Sequence, residues 1–135
     1  MAGYSSTPLP TKLGIREGSR VAAVNAPSGF LAGDVLPAGA SVDGGDEPEL
    51  DVLVLFVTSA SALLEQFTAE AQRLTPSGGL WVAWPKKSSG LPTDITENVL
   101  REILLPTGWV DNKVCAIDET WSGLRFVLRR ALRHG

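Results

Sequence analysis

The sequence holds one cysteine, Cys115, and one histidine, His134. A lone cysteine excludes an intramolecular disulfide and any metal site built on a cysteine pair. A lone histidine, at the penultimate position, deprives hydrolase chemistry of its usual general base. Lysine and arginine are missing altogether between Val21 and Gln72. The longest apolar run, Val52 to Val57, falls far short of the roughly 20 residues that a membrane-spanning helix needs. No signal-peptide pattern opens the chain. Neither G-x-G-x-x-G nor a P-loop occurs, so neither glycine-rich phosphate loop is available.

What is present fits one globular domain. The chain has 135 residues, 44% of them hydrophobic and 20% charged, which argues against disorder despite 14 glycines and 9 prolines. A net charge of -3 gives no reason to expect a nucleic-acid partner. The cation-poor stretch carries Asp34, Asp43, Asp46, Glu47, Glu49, Asp51, Glu65 and Glu70, and the end reverses this with Arg125, Arg129, Arg130 and Arg133. Residues 1–18 read as an extended arm, 19–130 as a single α/β domain and 131–135 as a basic tail.

Arg20 to Ala26 reads as a first strand, ended by Pro27 and Gly29. Phe30 to Glu49 is a long loop with a short strand around Ala40–Val42, and loops of that length are places to look for function. Asp51 to Val57 is continuously apolar, as a strand covered on both faces is. Thr58, Ser59 and Ser61 offer helix caps, and Leu63, Phe67, Ala71 and Leu74 predict a helix over Ser61–Leu74, stopped by Pro76, Gly78 and Gly79. Leu80 to Trp84 is the next buried strand, with Trp81 and Trp84 on opposite faces. After the loop Lys86–Pro92, Asp94 and Glu97 suggest a capping box for a second helix with Ile95, Val99, Ile103 and Leu104 inside. Trp109–Ile117 and Leu124–Arg129 read as a hairpin around the turn Asp118–Gly123.

Strand, helix, strand, helix and hairpin is an α/β order whose crossovers make the middle strands parallel. The predicted architecture is three-layer, with a mostly parallel sheet and a C-terminal antiparallel hairpin. It resembles a truncated Rossmann-like methyltransferase fold, the kind used with S-adenosylmethionine, with a shortened first half. Such a site needs glycines and a helix N-terminus after the first strand. Asn25-Ala26-Pro27-Ser28-Gly29-Phe30 supplies one glycine. No cofactor is therefore expected.

In open α/β sheets, ligands bind beyond the carboxyl ends of the strands. The ends at Asn25, Thr58 and Trp84 should share that edge with Lys86 and Lys87. Candidate ligand-binding residues are Asn25, Ser28, Gly29, Thr58, Ser59, Trp84, Lys86, Lys87 and Trp121: two cations, several hydrogen-bonding groups, a helix N-terminus and an apolar lid. The plainer reading makes the lysines solvated and the hydroxyls caps. No catalytic or metal-binding residue is assigned. Cys115 reads as a buried, inert thiol, Asp118–Glu119 as a turn, and the Asp43–Asp51 loop matches no EF-hand.

Several longer segments (GYSSTPLPTKLGI at Gly3–Ile15, NAPSGF at Asn25–Phe30, WVAWPKKSSG at Trp81–Gly90, TDIT at Thr93–Thr96 and VCAIDETWSGLRFV at Val114–Val127) together resemble one family. It is a family of short bacterial proteins forming a domain of unknown function. The resemblance implies a cytoplasmic bacterial protein and carries over no activity, cofactor or catalytic residue.

Three functional readings follow. The first is a non-catalytic binding or regulatory module for a small anionic ligand or a protein partner at the carboxyl edge of the sheet, with no nucleic acid and no membrane involved. The second is a degenerate methyltransferase-like enzyme. The third is a structural subunit of a homo-oligomer or larger complex.

Overall fold

The computed structural model describes residues 7–43 and 47–133. Met1 to Ser6 of the expected arm, Gly44 to Asp46 of the acidic loop, and His134 and Gly135 of the tail lie outside the described residues.

The strands are β1 (Arg20–Val24), β2 (Ser41–Asp43), β3 (Leu50–Phe56), β4 (Leu74–Pro85), β5 (Trp109–Ala116) and β6 (Trp121–Leu128). They form one sheet in the order β2-β1-β3-β4-β6-β5. β1 pairs in parallel with β2 and β3, and β3 in parallel with β4. β6 runs antiparallel between β4 and β5. The mostly parallel sheet with a closing antiparallel pair is the one the sequence predicts. Its strand order reverses at β1, whose chain leaves for β2 on one side and returns to β3 on the other.

The continuous apolar run of β3 has its physical reason in this arrangement, because both faces of the strand are covered. Leu53 and Leu55 pack with α2 (Ala60–Ala71) and α3 (Glu97–Leu104) on a helix face that also holds Leu63, Phe67, Leu100 and Leu104. Val52, Val54 and Phe56 face the other way, against Leu13, Ile15 and Leu31. That second layer is built from the single turn α1 (Leu9–Lys12), the segment after it, and the loop beyond β1. Among the described residues it contains no full helix, only the one turn α1 and irregular segments. Trp81 and Trp84 point to opposite faces, as their spacing requires. The Trp81 indole N–H, fully buried, donates to the carbonyl of Leu13 at 3.0 Å.

Most strand ends shift by a residue or two from the sequence reading, β1 ending at Val24 instead of Ala26. The larger departures concern the end of α2, the start of α3 and Trp121. The helix expected to run to Leu74 ends at Ala71, and Leu74 opens β4 opposite Leu50. Pro76, Gly78 and Gly79 therefore lie inside that strand, next to a register shift between Leu50 and Val52, instead of stopping a helix. Asp94 and Glu97 form no capping box. Thr96 caps α3 by accepting from the N–H of Val99 at 3.2 Å, and Leu100, absent from the expected inner face, is fully buried. Glu97 pairs instead with Arg101 at 3.1 Å, and Arg101 also holds Asp111 of β5 at 3.1 Å, its guanidinium made more basic by the hydrogen bond to Asp111. Trp121 is the first residue of β6, paired with Pro85, and so is not a turn residue. No helix among the described residues is long and apolar enough to cross a membrane.

Candidate functional site at the carboxyl rim

Register places the predicted strand ends side by side. Val24 lies opposite Leu55 and Phe56 opposite Ala83, while the N–H of Val57 donates to the carbonyl of Ala83 at 2.9 Å. Pro85 pairs with Trp121, and the N–H of Lys86 donates to the carbonyl of Thr120 at 2.8 Å. Asn25, Thr58, Ser59 and Lys86 thus lie along one rim, beyond the carboxyl ends of β1, β3 and β4, with Trp84 inside the end of β4 and Trp121 opening β6 at the same rim. Ser28 and Gly29 follow Asn25 in the exposed turn that leaves β1, with Gly29 at φ +83°.

Several of these groups are committed within the fold. Asn25 sits at φ +60°, and its amide donates to the carbonyl of Phe56 at 3.2 Å and to Oε1 of Gln66 at 2.8 Å. It ties β1 to β3 and to α2 at the point where the strand order reverses, which is where a ligand crevice would open. Gln66, on α2, gave no signal in the sequence, because a polar residue on a helix surface looks the same with or without a partner. Ser59 accepts from the N–H of Ala62 at 3.1 Å, so it is the cap of α2. The carboxylate of Asp94 accepts from the N–H of Ala60 at 2.8 Å. The anion-attracting end of α2 therefore already faces a negative group of the chain itself. This corrects the expectation that the helix N-terminus is open to an external anion.

The tryptophans divide. Trp84 is 7% exposed and packs with the helix-face core, leaving little of it for a rim ligand. Trp121 is half-buried on the other face, with its ring edge-on to Phe56 at 5.1 Å, and Phe56 meets Phe30 in the same way at 5.0 Å. The three rings fill the sheet face under the rim. Lys86 is half-buried and precedes a 3-10 turn, Lys87–Ser89, which is fastened by the Ser89 hydroxyl donating to the carbonyl of Lys86 at 2.7 Å. Lys87 and Thr58 are exposed. The rim thus presents a fixed basic turn beside an aromatic wall.

Chemistry needing a nucleophile finds little support elsewhere. Cys115 is half-buried, and burial pushes its thiol up in pKa, with Lys12 and Lys113 pulling weakly the other way. That leaves a protonated, poorly nucleophilic sulfur at neutral pH. Among the described residues, no group of three histidine, cysteine or carboxylate side chains is placed to hold a metal ion.

No protein-family model matches the sequence, and no curated protein matches it. Solved structures do match in shape. One is a SAM-dependent methyltransferase from Aquifex aeolicus, 17% identical, with a TM-score of 0.62 over 86% of this chain and 85% of that one. Another is the Methanococcus jannaschii fibrillarin, a pre-rRNA processing protein, 12% identical, with a TM-score of 0.55 over 94% and 71%. A third is the Aeropyrum pernix fibrillarin with natively bound S-adenosyl-L-methionine, 16% identical, with a TM-score of 0.58 over 84% and 68%. At such identities the likeness is one of fold: the chain has a mixed α/β sheet, mostly parallel with antiparallel C-terminal strands, of the methyltransferase-like Rossmann type.

Proposed function

We propose that the chain is a non-catalytic binding module on a methyltransferase-like fold. Its carboxyl rim takes a small anionic ligand or an acidic protein partner through Lys86 and Lys87, with Thr58, Ser28 and Gly29 beside them and Trp121 as an apolar wall. The observation that carries this reading is the bridge made by Asn25 across the strand-order reversal. S-adenosyl-L-methionine is bound by the Aeropyrum fibrillarin. Holding a cofactor of that kind calls for an open crevice, close backbone approach and a helix N-terminus after the first strand. Here β1 runs into Asn25-Ala26-Pro27 and a loop, and the nearest helix end is occupied by Asp94. Membership in the short bacterial family whose motifs the sequence resembles belongs to the same reading.

Calorimetry with S-adenosyl-L-methionine at millimolar concentration is expected to give no binding heat. A panel of di- and tricarboxylates, followed by thermal shift, should contain at least one ligand that raises Tm. Replacing the exposed lysine (Lys87→Ala) should reduce that shift and leave the unliganded Tm within about 1 °C, as surface substitutions do. Heat from the methyl donor would favour the degenerate enzyme instead.

A further inference from the structure

At the opposite edge of the sheet, where β1 and β3 begin, a cavity of about 610 Å³ is lined by Lys12, Arg16, Lys113 and Arg125, with Glu17 and Asp51 as its acidic groups. The four cations come from the arm, β5 and β6, far apart in sequence. None forms an ion pair among the described residues. Lys12 donates to the carbonyl of Ala116 at 3.0 Å, and Asp51 already accepts the N–H of Arg20 at 2.9 Å. Arg125 is half-buried, and its one side-chain hydrogen-bond partner among the described residues is neutral, the amide oxygen of Asn112 at 3.3 Å. Its guanidinium lies over Gly79, where a Cβ would collide with it. The missing side chain at Gly79 is what lets Arg125 lie along the sheet. Burial, then the nearby charges of Arg16 and Arg133, lower the basicity of Arg125. The fold therefore gathers four cations against two carboxylates around an open volume, an excess of positive charge that an entering anion would relieve.

We propose that this cavity binds a compact phosphate-bearing anion carrying two phosphoryl groups. Two guanidinium forks suit the several oxygens of a phosphoryl group, and the Lys113 ammonium adds point charge, that of Lys12 being held by the carbonyl of Ala116. The volume lies within the range of small-molecule sites. The apolar part of the lining is Leu13 and Val52, with no aromatic ring on which a nucleobase could stack. The inference does not depend on the rim reading, since the two sites lie at opposite ends of the strands.

The test is calorimetry at about 0.1 M salt with inorganic pyrophosphate, and with fructose 1,6-bisphosphate as the organic source of the same chemistry. At least one should bind with a Kd below about 1 mM, and sulfate should bind at least tenfold more weakly. Arg125→Ala is expected to weaken binding at least tenfold. Gly79→Ala should do so comparably by displacing the guanidinium while keeping the charge. If Arg125→Ala fails to fold, Arg16→Ala and Lys113→Ala, both at exposed positions, should each weaken binding three- to tenfold. The assignment is overturned if neither pyrophosphate nor the bisphosphate binds with a Kd below about 1 mM, if sulfate binds equally well, or if binding survives the cavity variants.

Discussion

Asn25 shows how one residue can look like a ligand group and serve the fold. Its φ of +60° is in the left-handed region, which costs a non-glycine residue about 1–2 kcal/mol and which asparagine tolerates best among them. Its amide then closes two hydrogen bonds, to Phe56 and Gln66. Asn25→Ala should lose both bonds and keep the strained backbone, for a destabilisation of about 1–3 kcal/mol by urea unfolding. Asn25→Gly should cost about half as much, because it relieves the strain while losing the same bonds. Equal, negligible costs for the two variants would return Asn25 to the list of groups available to a ligand. In the sequence the polar side chain at a strand end was legible, but its commitment was not, because Gln66 lies 41 residues further along.

At the scale of elements, periodicity reports what a segment buries and says less about where it stops. The run in β3 and the apolar spacing of α2 were legible because burial on two faces and on one face leave different patterns. The end of α2 was not, since Leu74 continues a helical spacing equally well until its pairing with Leu50 is known. Asp94 is the sharper case. It reads as the cap of the helix that follows it and is instead spent on the helix before it, through a contact 34 residues back in the chain. Ser59 and Asp94 serve different backbone N–H groups, those of Ala62 and Ala60. Ser59→Ala and Asp94→Ala should therefore each cost about 1 kcal/mol. Because both serve the first turn of α2, the double variant should depart from their sum by about 0.5 kcal/mol or more. A midpoint shift in urea near zero for Asp94→Ala would mean that the carboxylate does not hold the helix end, and would reopen that end to an external anion.

Over the whole molecule, the segment that sequence alone sets apart as an arm is part of the core. Leu13 is fully buried and Ile15 is 4% exposed, under the sheet face formed by Val52, Val54, Phe56 and Trp81. Leu9, Leu13 and Ile15 are too few, in a short polar stretch with two prolines, to establish a periodic pattern, so only the folded chain reveals that they close a layer. Burying such side chains contributes about 1.5–3 kcal/mol each, and the Trp81–Leu13 hydrogen bond about 1 kcal/mol more. That sum is a large part of the roughly 5–15 kcal/mol by which a domain is stable. A chain beginning at Arg16 should therefore lose its cooperative thermal transition and bind a hydrophobic dye, its uncovered sheet face being open to water. The point variant Leu13→Ala, which keeps the arm, should remain folded and lose about 2–5 kcal/mol in denaturant. The two outcomes belong together: if the shortened chain melted within a few degrees of the parent, the second layer would rest on the loop beyond β1 alone. Lys12 and Arg16 could then be mobile, and the basic cavity they help to line would have no fixed wall on that side.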